Sequence, residues 1–139
     1  MPQHAKLRFV VDTNIWVSYL LTGSFGALLR CWRTERFQLL YSEELLSELG
    51  DVLRRPRLTK RIGSAAADAL LRAIQDNAAL VEVISTVDVC RDEKDNYLLA
   101  LCKDGAADLL VTGDDDLLVL GAFGRTVILS PSAFNAAFK

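Results

Sequence analysis

Two apolar segments of this sequence each lead into an aspartate. Residues 9–11 (Phe-Val-Val) are followed directly by Asp12, and residues 109–112 (Leu-Leu-Val-Thr) are followed, after one glycine, by Asp114. Runs of this kind are typical of strands buried in a parallel sheet, whose carboxyl ends meet at one edge. An aspartate after a strand often only caps the following helix. Two aspartates at the same edge favour a shared carboxylate site.

Two predicted helices add carboxylates to this edge. In the helix that follows Ser42, Glu48 borders the apolar stripe, whereas the other acids of that helix project further toward solvent. Asp95 precedes Leu98 and Leu99 by three and four positions, so it shares the face that its helix buries. A buried carboxylate is costly unless it caps a helix or shares a cation with other acids. Further candidate ligands or supporting residues nearby are Asp92, Asn96 and Asp116.

A group of carboxylates predicts a site for a hard cation, Mg²⁺ or Mn²⁺. Zinc would require Cys or His ligands. The sequence has one histidine, His4, and three widely spaced cysteines in apolar surroundings, which we expect to be reduced core residues. It also lacks a nucleophile elbow and a phosphate-binding glycine loop. Metal-assisted phosphoryl chemistry, with water activated on one or two ions, is therefore the predicted reaction class.

Strands and helices alternate along the chain. Strands are predicted at residues 7–11, 37–41, 80–84, 109–112 and 126–129. Helices are predicted at 14–32 with a break near Gly23 and Gly26, from Ser42 to near Pro56, at 64–77 with Ser64 as cap, at 93–103, at 115–118 and from Ser130 onward. The alternation predicts an α/β fold, a three-layer α/β/α sandwich with a central parallel sheet.

Length and charge narrow the class of protein. The chain has 139 residues, of which 51% are hydrophobic, so we expect a single domain over residues 1–139. Its apolar runs are too short to span a membrane and its start lacks a signal-peptide core, so we expect a cytoplasmic protein. A net charge of -2 argues against nucleic-acid binding by bulk electrostatics. We predict that RNA or a partner contacts a local basic cluster instead. The cluster consists of Arg54, Arg55, Arg57, Lys60 and Arg61. The same five residues are also typical of a solvated helix end, where cations favour the negative pole of the helix dipole.

Four motifs in this order resemble those of the PIN-domain superfamily. They are Val-Val-Asp-Thr-Asn at 10–14, Ser42 six positions before Glu48 with Leu-Arg-Arg-Pro-Arg-Leu at 53–58, Cys-Arg-Asp-Glu-Lys-Asp-Asn at 90–96, and Val-Thr-Gly-Asp-Asp-Asp-Leu at 111–117. The resemblance covers nearly the whole chain. It is greatest to the VapC-like branch, the toxins of prokaryotic toxin-antitoxin pairs.

This resemblance implies a metal-dependent endoribonuclease that hydrolyses single-stranded RNA and pairs with a cognate antitoxin. It implies a PIN-like sheet whose first strand is central. The acids that it assigns to catalysis and metal binding are Asp12, Glu48, Asp95 and Asp114, with Asp116 as an alternative direct ligand in the last motif. It assigns supporting roles to Asn14 and Thr112.

An apolar helical stretch predicts a surface for a partner. It consists of Ile15, Trp16, Tyr19, Leu20, Phe25, Leu28, Leu29 and Trp32. Core packing accounts for some of these side chains. We expect the others to form a homodimer contact or to receive an antitoxin helix.

Three other classes of protein share parts of this pattern. A haloacid-dehalogenase-like phosphatase needs Asp-x-Asp after its first strand, and Asn14 occupies the second acidic position. A receiver-type signalling module needs paired acids there and an acceptor aspartate after the third strand, whereas Thr13 follows Asp12 and the strand at 80–84 is followed by Ser-Thr. A non-catalytic PIN-like scaffold would keep the same fold, and the sequence alone leaves it open.

Overall fold

The computed structural model describes residues 6–23 and 26–138, so His4 and Phe25 lie outside the described residues. The strands are β1 (Leu7–Val11), β2 (Phe37–Tyr41), β3 (Ala79–Leu80), β4 (Leu109–Val111), β5 (Ala122–Phe123) and β6 (Thr126–Leu129). The helices are α1 (Thr13–Thr22), α2 (Ala27–Arg33), α3 (Glu43–Leu53), α4 (Pro56–Ile62), α5 (Ser64–Asn77), α6 (Asn96–Asp104), α7 (Asp115–Leu118) and α8 (Pro131–Ala137). A 3₁₀ turn, Glu93–Asp95, precedes α6.

The strands form one sheet in the order β3-β2-β1-β4-β6-β5. Every neighbouring pair is parallel except β5 with β6. Val11 is paired with Val111, so β1 and β4 end at the same level, and both lead into aspartates there. The predicted α/β sandwich with β1 in the centre is confirmed. The expectation of a parallel sheet is wrong at one edge, where the antiparallel strand β5 was not predicted.

The sheet is covered by helices whose apolar faces form one core. Phe9 of β1 packs between Phe37 of β2 and Phe134 of α8, with ring centroids 5.9 and 6.3 Å away. α3 contacts α1, α5 and α6, and α6 also contacts β1. α6 is buried along most of its length, so the residues at its start are held firmly against the carboxyl edge of the sheet.

The predicted strand at residues 80–84 is shorter than expected. β3 ends at Leu80, with one further backbone bond from Val81 N–H to the carbonyl of Tyr41. The backbone N–H groups of Ile84 and Ser85 instead donate to Oδ2 of the Asp104 carboxylate, at 2.7 and 2.8 Å. A side chain of α6 thus takes the hydrogen bonds that a continued strand would have needed.

Two of the three serines predicted at helix starts act as caps. Ser42 and Ser130 accept backbone N–H groups at the starts of α3 and α8, and Gly23 ends α1 in a left-handed conformation with φ 73°. The predicted Ser64 cap is wrong: Gly63 occupies the cap position and Ser64 is the first helical residue.

The helix that carries the basic cluster also differs from the prediction. Residues from Pro56 onward form a separate helix, α4, rather than the end of α3.

Cys31, Cys90 and Cys102 are buried free thiols, as expected for core cysteines. Within residues 6–23 and 26–138, none of the helices is both long and apolar enough to cross a bilayer.

Candidate metal centre

Asp12 follows β1 and is almost completely buried. Its carboxylate accepts the hydroxyl of Thr112 on Oδ2 at 2.7 Å and that of Thr13 on Oδ1 at 3.3 Å, and the backbone N–H of Asn14 also donates to it. Burial raises the pKa of Asp12, these hydrogen bonds lower it, and the charge of Asp114 raises it further. The net direction is upward, as for a carboxylate that lacks enough positive charge nearby.

Thr112 connects the aspartates of the two central strands. Its side chain is completely buried, and its hydroxyl donates to Asp12 while accepting the backbone N–H of Asp114 at 3.0 Å. Asp114 in turn caps α7 by accepting the backbone N–H of Asp116 on Oδ1 at 2.9 Å. Capping therefore occupies only one oxygen of Asp114.

Asp95 is the least satisfied carboxylate of the group. The side chain is 9% exposed, and its Oδ2 atom is buried without a hydrogen-bond partner among the described residues. Burial raises the pKa of Asp95 to about 7, with further contributions from a hydrogen bond shared with Asp114 and from the charges of Asp114, Asp12 and Asp92. A carboxylate that is buried, partly unpaired and surrounded by other acids requires either a proton or a cation.

The carboxylates converge closely enough to share a cation. One oxygen each from Asp92, Asp95 and Asp116 lies within 4.8 Å of the other two. The ligand set is entirely oxygen, which suits Mg²⁺ or Mn²⁺. The Oδ2 atom of Asp95, buried without a hydrogen-bond partner among the described residues, is available to a cation. The residues present therefore fit a divalent cation.

Two of the predicted site residues lie at the margin. Glu48 is exposed on α3, and it is absent from the group of acids that come within 4.8 Å of one another in the described part of the chain. Asn14 is also exposed, and the contact that links it to Asp12 comes from its backbone. Burial is the main cause of the raised pKa of Tyr97, and the charges of Asp12 and Glu48 raise it further, so both acids are within electrostatic range of this tyrosine.

Asn96 and Asp92 shape the loop beside the centre. The side-chain oxygen of Asn96 accepts the backbone N–H groups of Val89 and Cys90, at 3.1 and 2.9 Å, so it anchors this loop and leaves no free oxygen pointing at the acids. Asp92 caps the 3₁₀ turn by accepting the backbone N–H of Lys94 and stays exposed. Its carboxylate nevertheless belongs to the converging group.

Three neighbours of the acids were missed by sequence reasoning. Tyr97 is half-buried, and burial is the main cause of the upward shift of its pKa. Burial and the surrounding aspartates raise the pKa of the Cys90 thiol to about 11, so this thiol stays protonated and is no nucleophile. Arg91 forms an ion pair with Asp116. Their closeness in sequence to Asp92 and Asp95 was the available signal.

The basic cluster lies away from the acids. Its five residues are exposed on α4 and the segment before it, beyond the end of α3 that is remote from Ser42. Arg54 pairs with Asp51 of α3 at 3.4 Å. The predicted contact of this cluster with RNA or a partner therefore stays a prediction.

Comparison with known proteins identifies the fold. A family model for the PIN domain matches residues 8–116. The chain belongs to the PIN domain family. The uncharacterized protein MJ1680 of Methanocaldococcus jannaschii is 30% identical to this PIN domain over 118 residues, which cover 83% of this chain and 76% of MJ1680. The family predicted from the motifs is confirmed, and with it membership in a family of nucleases.

A solved toxin shares the architecture of this PIN domain. The crystal structure of VapC20 from Mycobacterium tuberculosis, a sarcin-ricin loop cleaving toxin, matches with a TM-score of 0.56 and 18% sequence identity, over 81% of this chain and 95% of that chain. At this identity the similarity establishes the VapC-like fold alone.

Proposed function

We propose that this PIN domain is a metal-dependent endoribonuclease that hydrolyses phosphodiester bonds of single-stranded RNA in the cytoplasm. The observation that carries the proposal is the buried, unpaired Oδ2 of Asp95 within a group of converging carboxylates. Building such a group costs stability in the absence of a cation. Membership in the PIN domain family and the similarity to the toxin VapC20 favour RNA cleavage as the function of this group of carboxylates.

Each acid has a proposed part in this site. Asp92, Asp95 and Asp116 are the proposed ligands, with Asp12 and Asp114 beside them at the ends of β1 and β4. Thr112 holds Asp12 and Asp114 in place by hydrogen bonds to both. A bound Mg²⁺ or Mn²⁺ would supply activation of the attacking water and neutralisation of charge on the phosphate. Glu48 is the proposed acid on the α3 side, from which it can approach bound RNA.

The test is cleavage of a fluorescently labelled single-stranded RNA of mixed sequence. Wild-type protein should cut it with Mg²⁺ or Mn²⁺ and should stop when EDTA is in excess. Asp12→Asn, prepared in parallel, should have no activity, and any cleavage left in that preparation would come from a contaminating nuclease. A folded, metal-loaded protein that leaves several unrelated RNAs intact would favour a non-catalytic scaffold.

We further propose that the chain is the toxin of a toxin-antitoxin pair, and that one apolar groove forms a homodimer contact or receives an antitoxin helix. Trp16 and Leu28 of the predicted apolar stretch are core residues. Tyr19, Leu20, Leu29 and Trp32 instead line a groove of about 690 Å³, whose opposite wall is α5. That wall presents alanines, which permit close approach of a helix. The family resemblance supports a helical partner in such a groove.

Ala69→Arg is expected to prevent partner binding at this groove. Ala69 lines the groove and is exposed, so a long cation there should block a helix without unfolding α5. Ala65→Arg, exposed on the same helix but outside the groove, is the matched control. Sedimentation analysis should show a wild-type dimer and loss of association in Ala69→Arg only. A wild-type monomer at high micromolar concentration would remove the homodimer proposal.

The antitoxin is tested separately, by co-expression with the adjacent small reading frame. A co-purifying complex with suppressed RNA cleavage is expected, and Ala69→Arg should weaken it. A wild-type chain that purifies alone and is equally active would contradict the pairing.

A further inference from the structure

Arg91 sits at the rim of the carboxylate group. Its Nη2 atom lies 2.9 Å from Oδ1 of Asp116, one of the three converging acids. The Arg91 side chain is 88% exposed, whereas the Asp116 side chain is 24% exposed. One end of the guanidinium therefore contacts the acids while most of it faces solvent.

The loop that carries Arg91 is fixed rather than merely adjacent. The side-chain oxygen of Asn96 accepts the backbone N–H groups of Val89 and Cys90, the two residues immediately before Arg91. Cys90 is also buried. Asn96 itself begins α6, directly after Asp95. The backbone at Arg91 is thus positioned by the same turn that positions Asp95, the most buried of the three converging acids.

Stability does not explain this placement. An ion pair with so exposed a partner contributes little to folding, because both water and salt screen it. The five cations of the basic cluster lie on and before α4, where Arg54 forms an ion pair with Asp51. Among the described residues, Arg91 is the cation that forms an ion pair with the converging acids.

We propose that Arg91 binds a backbone phosphate of the RNA next to the scissile bond, with Asp116 holding its guanidinium over the centre. This inference rests on the proposed nuclease function and adds a substrate-binding residue to it. An acidic centre repels RNA, so a cation at its rim lowers the cost of bringing a phosphate there. Arginine suits this task because its planar N–H groups can bind carboxylate and phosphate oxygens at the same time.

Arg91→Gln tests the proposal, with Arg125→Gln as a matched control. Arg125 forms the same kind of exposed ion pair, 2.8 Å to Asp108, at the start of β4 and thus at the opposite edge of the sheet. Both variants lose one positive charge, so a general electrostatic effect would appear equally in both. Binding of a labelled single-stranded RNA is measured by fluorescence anisotropy in Ca²⁺ at several salt concentrations, and the RNA is checked for integrity afterwards.

Arg91→Gln should weaken RNA binding about tenfold, while Arg125→Gln should match the wild type. The slope of log affinity against log salt should become shallower by about 0.7, the value for one lost contact to a single strand. Affinity for Mn²⁺ without RNA, measured by calorimetry, should not fall, because the guanidinium supplies no metal ligand and its positive charge opposes the binding of a cation. Arg91→Lys should restore part of the RNA affinity.

Two results would overturn the role of Arg91. One is equal RNA affinity in Arg91→Gln and Arg125→Gln. The other is a parallel loss of Mn²⁺ affinity in Arg91→Gln, which would make Arg91 a support for Asp116 alone. Both presuppose that wild-type protein binds RNA. A wild type that neither binds nor cuts RNA would instead contradict the proposed function itself, and the role of Arg91 with it.

Discussion

Asp95→Asn is expected to lose at least about 100-fold of RNA cleavage while becoming more stable than the wild type without metal. The substitution removes the proposed metal ligand but keeps the size of the side chain. It also removes the burial of a charge, which is the main cause of the raised pKa of Asp95, together with the repulsion from Asp114 and Asp12, and the new amide can donate to the Asp114 carboxylate. The expected gain in unfolding free energy at pH 8 is on the order of 2 kcal/mol. That corresponds to a rise of about 7 °C in Tm.

Asp68→Asn provides the control for this prediction. Asp68 is exposed on α5, away from the centre, so the same chemical change there should alter neither activity nor Tm. Both readouts are needed for Asp95→Asn. A variant with lower stability would mean that Asp95 is held by interactions other than a missing cation, and a fully active variant would exclude Asp95 from the site.

The second prediction concerns the pH dependence of stability with and without metal. The pKa of Asp95 is raised to about 7 and that of Asp12 is also raised. A raised carboxyl pKa means that the folded state binds protons more tightly than the unfolded state. The resulting stabilisation is fully present below about pH 3.8, the ordinary value for aspartate, and is lost as the pH rises through about 7.

Mn²⁺ should reverse this trend, because it binds the deprotonated acids. At a concentration 100 times its dissociation constant it should add about 2.7 kcal/mol at pH 8. At pH 8 this stabilisation raises Tm by about 10 °C. At pH 5 the rise in Tm should be far smaller, because Asp95 is then largely protonated. The measurement is thermal unfolding of wild type and Asp95→Asn, with Mn²⁺ or EDTA, across pH 5 to 8. It distinguishes the acids of the centre from the other titrating groups of the protein. A Mn²⁺ effect that is equal at both ends of the range, or unchanged in Asp95→Asn, would contradict the shared site.

The parts of the fold that the sequence predicted are those governed by local rules. Apolar runs of the right length became β1, β2, β4 and β6, and an aspartate directly after a buried strand must lie at the carboxyl edge. The helical offsets of Asp95 from Leu98 and Leu99 correctly placed it on a buried face. These statements depend on neighbours a few residues away, which the sequence shows directly.

The parts that it did not predict depend on contacts between distant residues. The strand expected at 80–84 is cut short by Asp104, twenty positions further along. Glu48 borders the apolar stripe of α3 as expected, yet periodicity alone does not tell how far its carboxylate reaches. The pairing of Arg91 with Asp116 joins a loop to α7, 25 positions further along the chain. Asn96, expected among ligands or supports, became the anchor of the loop at 89–90 for the same reason.

The proposal behind these predictions is that Asp92, Asp95 and Asp116, which converge beside the acids at the ends of β1 and β4, hold one divalent cation. Its most direct test is the anomalous scattering of Mn²⁺ in crystals of the wild-type protein grown near pH 8 with MnCl₂. We expect an anomalous peak at coordination distance, about 2.0–2.4 Å, from Oδ2 of Asp95, with oxygens of Asp92 or Asp116 as further ligands. A well-ordered centre without a peak, or a Mn²⁺ site that does not include Asp95, would contradict it.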